Sequence, residues 1–414
     1  MDHSSSTLPL VKKKNSIMGV ELKSQIKRRK TREEYEQYDG MTEFMAFEIL
    51  TRLPVKSLVK CKSVCRSWRS LISDPVFIAA HLKRSGENPQ LIIVAFSPKL
   101  PRRGFDMYTY EERKKRARFL FGEDFVSFQE HTFLPQHCNG LVLLNTMKQL
   151  VVCNPSTKEL VALPSDKRGD VTWILEFKYT ASLGYVEGIN LYKVARYIYR
   201  YLNYHLNTYD LGFEVLTLGF DTSWRIAEDP PYPTGSRVCP RSVGEVIYFI
   251  IDNSLHQGPP KAFLCFNLRD EKFRVVDPPY QCPIDYDNMS IVNLEGNPCF
   301  VHQSQDRRKC KMWISRDFIE HVWIPTFSFD LLQPPRLLVP LAFRHGKLLL
   351  EMHDKVHRLE YYDPKSKVFD PVVCIAEDLA FYNKQKCGYY FFHEKAPFAV
   401  VNFVESLVPI IPKS

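Results

Sequence analysis

The sequence predicts an α+β multidomain protein: a small module of three helices, then an all-β, propeller-like domain of six or seven blades. Three observations point that way. Residues 41–85 place apolar side chains at helical spacing. From about residue 91 short β-forming runs alternate with turn signals, in a chain with 28 Pro and 13% aromatic residues. Two separate markers then recur along that β-region with a period just under fifty. At 414 residues the chain is also too long for one ordinary core.

Residues 1–40 lack a sustained apolar face and carry basic clusters at Lys12–Lys14 and Lys27–Lys30, the composition of a disordered basic tail. Charge is uneven. Residues 1–118 hold 25 Lys and Arg against 13 Asp and Glu, whereas residues 119–414 hold 31 against 34. The pI of 8.9 therefore reflects the front of the chain, and most of the chain lacks the basic bias of a nucleic-acid binder. No apolar run approaches the length of a membrane span, and no apolar segment of a signal peptide follows the first basic cluster. Eleven scattered cysteines in a chain without an export signal favour reduced thiols, and hence the cytoplasm or nucleus.

In the helical module Thr42 can cap a first helix that runs to about Leu53, where Pro54 interrupts it. Leu58, Cys61, Cys65, Trp68 and Ile72 recur at steps of three and four, the spacing of one helical face, with Val64 and Leu71 widening the stripe. Asp74 and Pro75 form a stop and restart, Asp as N-cap and Pro at the first helical position, opening a last helix over residues 75–82. So few residues bury little alone, and such a module leans on a partner.

The β-region begins with Leu91–Phe96 and continues through Leu141–Leu144, Leu150–Cys153, Val246–Ile251, Ala262–Phe266 and Val356–Tyr362. Units that open on Asn or Asp and close on Pro start at Asn154, Asp221, Asn267, Asp317 and Asp363, and their closing prolines are 66, 48, 47 and 46 residues apart. Glycines placed just before strands, Gly140, Gly188, Gly244, Gly296, Gly346 and Gly388, step by 48, 56, 52, 50 and 42. That is the signature of four-stranded propeller blades. The long first proline interval contains the Tyr-rich stretch 192–209, which reads as an insertion within a blade. Arg102–Arg118, basic and aromatic, reads as a charged linker between helices and propeller, with residues 86–118 as linker and first strand and 119–408 as the propeller.

Two resemblances follow. The runs Glu48-Ile49-Leu50-Thr51-Arg52-Leu53-Pro54-Val55-Lys56-Ser57-Leu58, Val64-Cys65-Arg66-Ser67-Trp68 and Leu71-Ile72-Ser73-Asp74-Pro75-Val76-Phe77 resemble the F-box of the large plant families over residues 41–85. Thr42, Phe44 and Met45 stand where that family usually has a Pro followed by an Asp-Leu pair. The pieces Cys138-Asn139-Gly140-Leu141-Val142, Cys153-Asn154-Pro155-Ser156-Thr157, Leu183-Gly184-Tyr185, Ser223-Trp224-Arg225, Met312-Trp313-Ile314 and Glu405-Ser406-Leu407 are in turn similar to the plant F-box-associated domain in its type 1/type 3, kelch-like form.

The resemblance implies a non-catalytic substrate receptor of an SCF-type ubiquitin ligase. The F-box would dock on a Skp-family adaptor, and through it on cullin and RING subunits, while the propeller binds a protein target that the resemblance does not name. It also implies that Ile49, Leu50, Leu53, Pro54, Leu58, Val64, Cys65 and Trp68 form or support the adaptor-facing surface. A propeller scaffold without a ligase role, and a propeller enzyme or sugar-binding module, are the rival readings. Neither a cofactor nor a metal is expected. Cys61 and Cys65 belong to the apolar stripe, and Cys299 with His302, or His353 with His357, lack a second ligand pair of convincing form.

Overall fold

A computed structural model describes residues 44–97, 104–124, 135–145, 150–164, 179–203, 206, 208–234, 240–251, 262–280, 282, 288–317, 322–354, 356–383, 388–390 and 398–411. The expected basic tail over 1–40 and the cap at Thr42 lie outside these residues. The chain divides into a helical unit ending at Arg84 and a β-unit from Ser85 onward, each compact in itself.

The helical unit holds four helices rather than three: α1 over residues 44–50, α2 at Val55–Cys61, α3 at Arg66–Ser73 and α4 at Pro75–Gly86. The stripe expected on one helix is divided between α2 and α3. A tight turn, with Val64 N–H bonded to Cys61 O, ends α2. Cys65 is extended, with φ −153° and ψ 167°, and its Sγ accepts from Trp68 N–H at 3.4 Å as the cap of α3. Of the stripe, Leu58 and Ile72 are buried, Cys61 and Trp68 half-buried and Cys65 exposed. Asp74 caps α4 as the sequence indicates, accepting from Val76 N–H at 2.7 Å and Phe77 N–H at 3.4 Å, and α4 runs one turn beyond Leu82.

Leu50, Val55, Leu58, Ile72 and Phe77 form the small core, and Phe47 sets its ring edge-on to Phe77 at 5.4 Å. Buried His81 of α4 donates from Nε2 to Leu53 O at 3.0 Å, satisfying a carbonyl at the end of the first turn region. Glu48 accepts from Arg52 and Arg84, both at 2.9 Å, which holds its carboxyl below the usual range. The outer helices are thereby fixed to each other at both ends.

Six sheets make up the β-unit, so the propeller has six blades. The first blade runs Gln136–Cys138, Leu141–Asn145, Leu150–Asn154, Glu159–Ala162. The second runs Tyr179–Val186, Leu191–Asn203, Thr208–Thr217, Arg225–Ile226. The third runs Arg241–Val243, Val246–Ile250, Phe263–Asn267, Lys272–Val276. The fourth runs Met289–Leu294, Asn297–Gln303, Lys309–Ser315, Trp323–Asp330, and the fifth Leu337–Arg344, Lys347–His353, His357–Asp363, Val368–Cys374. All five are antiparallel meanders.

The closing blade has six strands drawn from both ends of the unit, in the order Gly388–Tyr390, Ala380–Asn383, Arg116–Asp124, Gly104–Glu111, Gln90–Ser97, Phe398–Phe403. Phe398–Phe403 pairs antiparallel with Gln90–Ser97, Val400 opposite Ile93. It is also the innermost strand, packing on the inner strands of the first and fifth blades and completing an unbroken ring. The stretch expected as a charged linker is thus built into this blade. Phe105, Met107, Tyr108 and Tyr110 are buried in Gly104–Glu111, and the next turn gathers Lys114, Arg116 and Arg118 around the Glu111 carboxylate at 3.3, 2.8 and 3.6 Å. Paired charges at the turn mask the strand pattern in the sequence.

The two sequence markers correspond to two kinds of turn. Gly140, Gly244, Gly296 and Gly346 lie between the first and second strands of their blades, all with positive φ, and Gly188 lies in the same connection of the second blade. At Asn139-Gly140, Glu295-Gly296 and His345-Gly346 both residues have positive φ, the pattern of a type I′ hairpin. Gly388 departs from this, opening the outermost strand of the closing blade. The Asn/Asp marker opens the turn into the last strand. Asn154, Asn267 and Asp363 each accept side-chain bonds from N–H groups two and three residues on, and Lys158, Glu271 and Lys367 close these turns in the left-handed region. Pro325 and Pro371 sit on outermost strands, where a missing N–H is tolerated.

Apolar side chains fill the spaces between neighbouring blades, and a few polar links join blade to blade. Trp224 Nε1 donates to Pro164 O of the preceding blade at 2.8 Å, and Trp323 Nε1 to Asp277 O at 2.9 Å. Lys193 Nζ reaches Leu268 O at 2.7 Å and Glu271 at 2.8 Å. The C-terminal segment leaves the closing blade and lies on the first blade. There the fully buried Asn154 amide donates to Ser406 O at 3.0 Å and Val408 O at 2.8 Å. Gly140 permits this approach, since a Cβ at that position would lie 2.0 Å from Ser406 Cβ.

Truncation after Lys395, which removes the innermost strand of the closing blade, is expected to abolish soluble, folded propeller; a truncated protein that stays monomeric with unchanged melting would contradict ring closure. Asn154→Ala, which leaves two buried carbonyls without their donor, is expected to cost about 2–4 kcal/mol in urea denaturation.

Candidate functional site

The helical unit has two apolar faces. Successive residues of α1 are separated by about 100°, so Phe47, Leu50 and Thr51 turn inward while Met45 and Ile49, four apart, share the opposite face. Leu50 is 2% exposed and Leu58 0%, whereas Ile49 is 58% and Val64 65% exposed. Phe44, Met45, Val59 and Val76 are exposed as well. This small unit therefore leaves six large apolar side chains exposed, each worth about 1.5–3 kcal/mol if covered.

This sorts the eight residues expected at that surface. Ile49, Pro54, Val64 and Cys65 are exposed; Leu53 and Trp68 are half-buried. Leu50 and Leu58 are core residues, buried rather than on the exposed face. Phe44, Met45, Val59 and Val76, also exposed, are not among the eight. The signal available for them is apolar side chains out of phase with the inward stripe.

The propeller has two unlike faces. In each meander the first-to-second and third-to-fourth connections lie at one end, the second-to-third and blade-to-blade connections at the other. The first end holds the tight glycine and Asx turns. The second holds the connections between blades, whose described residues include 163–164, 227–234 and 277–280. Among the described residues of that second face, Leu332 is 97% exposed, Tyr280 89% and Leu206 69%.

The Tyr-rich stretch shapes this face. It forms the hairpin of Leu191–Asn203 with Thr208–Thr217, whose tip extends past the end of its inner neighbour at Tyr179. Tyr197 and Tyr199 turn inward and donate to Tyr232 O at 3.0 Å and Thr234 O at 2.7 Å, while Tyr201 points outward. Arg200 pairs with Asp229 at 2.8 Å and Asp210 at 3.2 Å. A buried pair of Arg196 with Glu214, 2.5 Å apart, stiffens its base, with the guanidinium 4.1 Å from the Trp224 ring centre. Tyr197, Tyr199, Arg196 and Arg200 are therefore engaged by backbone carbonyls and carboxylates.

Neither cysteine pair forms a ligand set. Cys65 serves as the helix cap, and Cys299 is buried in its strand, where burial pushes its thiol up to about 12. The described cysteines are all unpaired thiols. A shallow cavity of about 370 Å³ beside the turn at Glu111 is lined by Tyr110, Glu111, Glu112, Arg118 and Arg344. Its strongest charges are already engaged, Arg344 with Pro89 O at 2.7 Å and Asn402 Oδ1 at 2.9 Å, and Glu111 with Arg116.

Residues 105–395 match the family described as the F-box associated beta propeller domain, and residues 45–79 match the F-box domain. The chain is similar to an F-box protein of Arabidopsis thaliana at 26% identity over 330 residues, covering 78% of this chain and 79% of the relative. A second Arabidopsis thaliana F-box protein is 26% identical over 370 residues, covering 79% and 86%. Among solved structures, the fungal Aleuria aurantia lectin is similar at 8% identity and a TM-score of 0.36, over 69% of this chain and 95% of the lectin. A likeness of that size bears on neither sugar binding nor chemistry here.

Burial of Leu58 and half-burial of Trp68 set an order of effects. Leu58→Ala is expected to destabilise the helical unit by about 2–5 kcal/mol, and Trp68→Ala by about half the 3–5 kcal/mol of a fully buried Trp. Hydrogen exchange over residues 44–84 of the full chain measures both, and the reverse order would contradict the assignment of core and surface.

Proposed function

Because the chain belongs to the F-box associated beta propeller family, we propose that it is the substrate-receptor subunit of an SCF-type ubiquitin ligase. The apolar face of the helical unit docks on a Skp-family adaptor, which links the chain to cullin and RING subunits. The propeller face that carries the connections between blades holds a protein target. The observation that carries this reading is the coincidence of the F-box match over residues 45–79 with solvent-exposed Met45, Ile49, Val64 and Val76.

In this role the chain performs no bond chemistry. A target lysine held near a ubiquitin thioester gains effective concentration, and positioning alone accelerates transfer. What the chain contributes is geometry: an apolar clip for a constant partner, and a stiff disc whose connections present a variable one. Leu206, Tyr201, Tyr280 and Leu332 supply apolar and amphipathic contact area of the kind that anchors protein interfaces. The expected place of work is the nucleus, the cytoplasm or both.

The test is co-purification of the full chain with a Skp-family adaptor. The native chain is expected to co-elute in a one-to-one complex. Ile49→Asp combined with Val64→Asp, which places two charges on the docking face, is expected to weaken binding by more than tenfold while the melting of the propeller is unchanged. Undiminished adaptor binding by that variant would overturn the placement of the docking face, and no adaptor binding by the native chain would overturn the ligase reading. Capture of proteins that accumulate under proteasome inhibition, compared between the native chain and a Tyr280→Ala, Leu332→Ala variant, reports on the target face.

A further inference from the structure

His353 and His357 face each other across the second-to-third hairpin of the fifth blade. Two residues before His353, on the same face of its strand, lies Glu351. These three side chains place their ligand atoms within 4.8 Å of one another, the metal-competent group found among the described residues. His357 Nε2 is 2.8 Å from Glu351 Oε1 and His353 Nε2 is 3.2 Å from the same oxygen. The imidazole rings stand 3.8 Å apart.

The set is unusual for a structural pair. His353 Nε2 is sealed from solvent and makes no hydrogen bond, although it faces the carboxylate. Glu351 is 1% exposed, and its Oε1 also accepts the Val400 N–H of the closing strand at 2.8 Å. Two imidazole nitrogens and one carboxylate thus converge from adjacent strands, and the carboxylate is oriented by a backbone amide in the way outer-shell groups orient metal ligands.

We propose that Glu351, His353 and His357 form a zinc site at the seam between the fifth blade and the closing blade. Tetrahedral zinc with ligands at about 2.0–2.1 Å separates those ligands by about 3.3 Å; the two Glu351–imidazole spacings here are 3.2 and 2.8 Å, and all three ligand atoms lie within 4.8 Å of one another. Three protein ligands leave one position open, as in zinc sites that take water or an incoming donor. Because Glu351 holds the Val400 amide, metal occupancy also strengthens the seam that closes the ring.

The test uses the full chain, stripped with chelator and titrated with Zn²⁺ or Co²⁺ alone. One equivalent is expected to bind with micromolar or tighter affinity and to raise the melting temperature of the propeller. The Co²⁺ form should show visible bands of four-coordinate nitrogen and oxygen ligation, without the ultraviolet band of a thiolate. His353→Ala and His357→Ala are each expected to weaken binding by more than the roughly 10–100-fold due to an outer-shell partner, and to abolish the stabilisation. His302→Ala, outside the cluster, retains both. Circular dichroism of the metal-free variants, expected to match the native chain, separates a lost ligand from a lost fold. A thiolate band, binding unaffected by either histidine variant, or no stoichiometric metal at all would overturn the proposal.

Discussion

The pairing of Phe398–Phe403 with Gln90–Ser97 is the constraint on which the propeller depends. A disc of six blades has one seam, and left open it would expose two strand edges, a template for aggregation. Here the last strand enters as the innermost member of a blade whose next three strands come from the start of the unit. The two ends of the β-unit are thereby made neighbours, and each blade gains an apolar partner on both sides. Further links lie on either side of the seam. Glu351 and Arg344 of the fifth blade hold Val400 and Asn402, and Asn154 of the first blade holds the carbonyls of Ser406 and Val408. The contacts that join distant parts of the sequence are concentrated where the ring would otherwise open.

Much of this architecture was legible because the turns are chemically demanding. A two-residue hairpin with positive φ at both positions selects Gly, and a turn that bonds its own backbone through a side chain selects Asn or Asp. Each recurs in three blades, and with Gly188 and Gly244 in the same connection of the other two they leave a period in the sequence. The sixth blade is assembled from both ends of the β-unit and so carries no complete copy of it, which is why periodicity leaves the count at six or seven. Gly104–Glu111 was obscured for a related reason: Lys114, Arg116 and Arg118 belong to a turn and its following strand and are paired with Glu111, so a charged run in sequence is a folded hairpin in space.

The helical unit was legible in kind and less so in detail. Spacing of three and four identified Leu58 and Ile72 as inward, but the same spacing passes through the break at Cys65, because a turn that restores phase leaves no trace in an apolar pattern. The outward apolar residues Phe44, Met45, Val59 and Val76 were invisible to a search for the inward stripe. Glu351 was missed because a lone Glu two residues before a His is ordinary; only the hairpin register brings it to both imidazoles. Local chemistry survives reading along the chain, whereas juxtaposition across strands does not.

The two faces of the disc follow from the same topology. One end of every meander is occupied by short, conformationally fixed turns. The other receives the connections between blades and the extended tyrosine hairpin, whose inner rings and buried Arg196–Glu214 pair keep it stiff. Loop variation is thereby confined to a single face, on a support that does not have to change with it. Hydrogen exchange of the full chain tests the closure on which that support rests most directly. The account predicts that amides of residues 91–96 and 398–403 exchange only as slowly as those of the central strands 297–303 and 348–352, through global unfolding of the propeller. Faster, separate exchange of the terminal strands, with the other blades still protected, would show an arc with a loosely attached end and would contradict it.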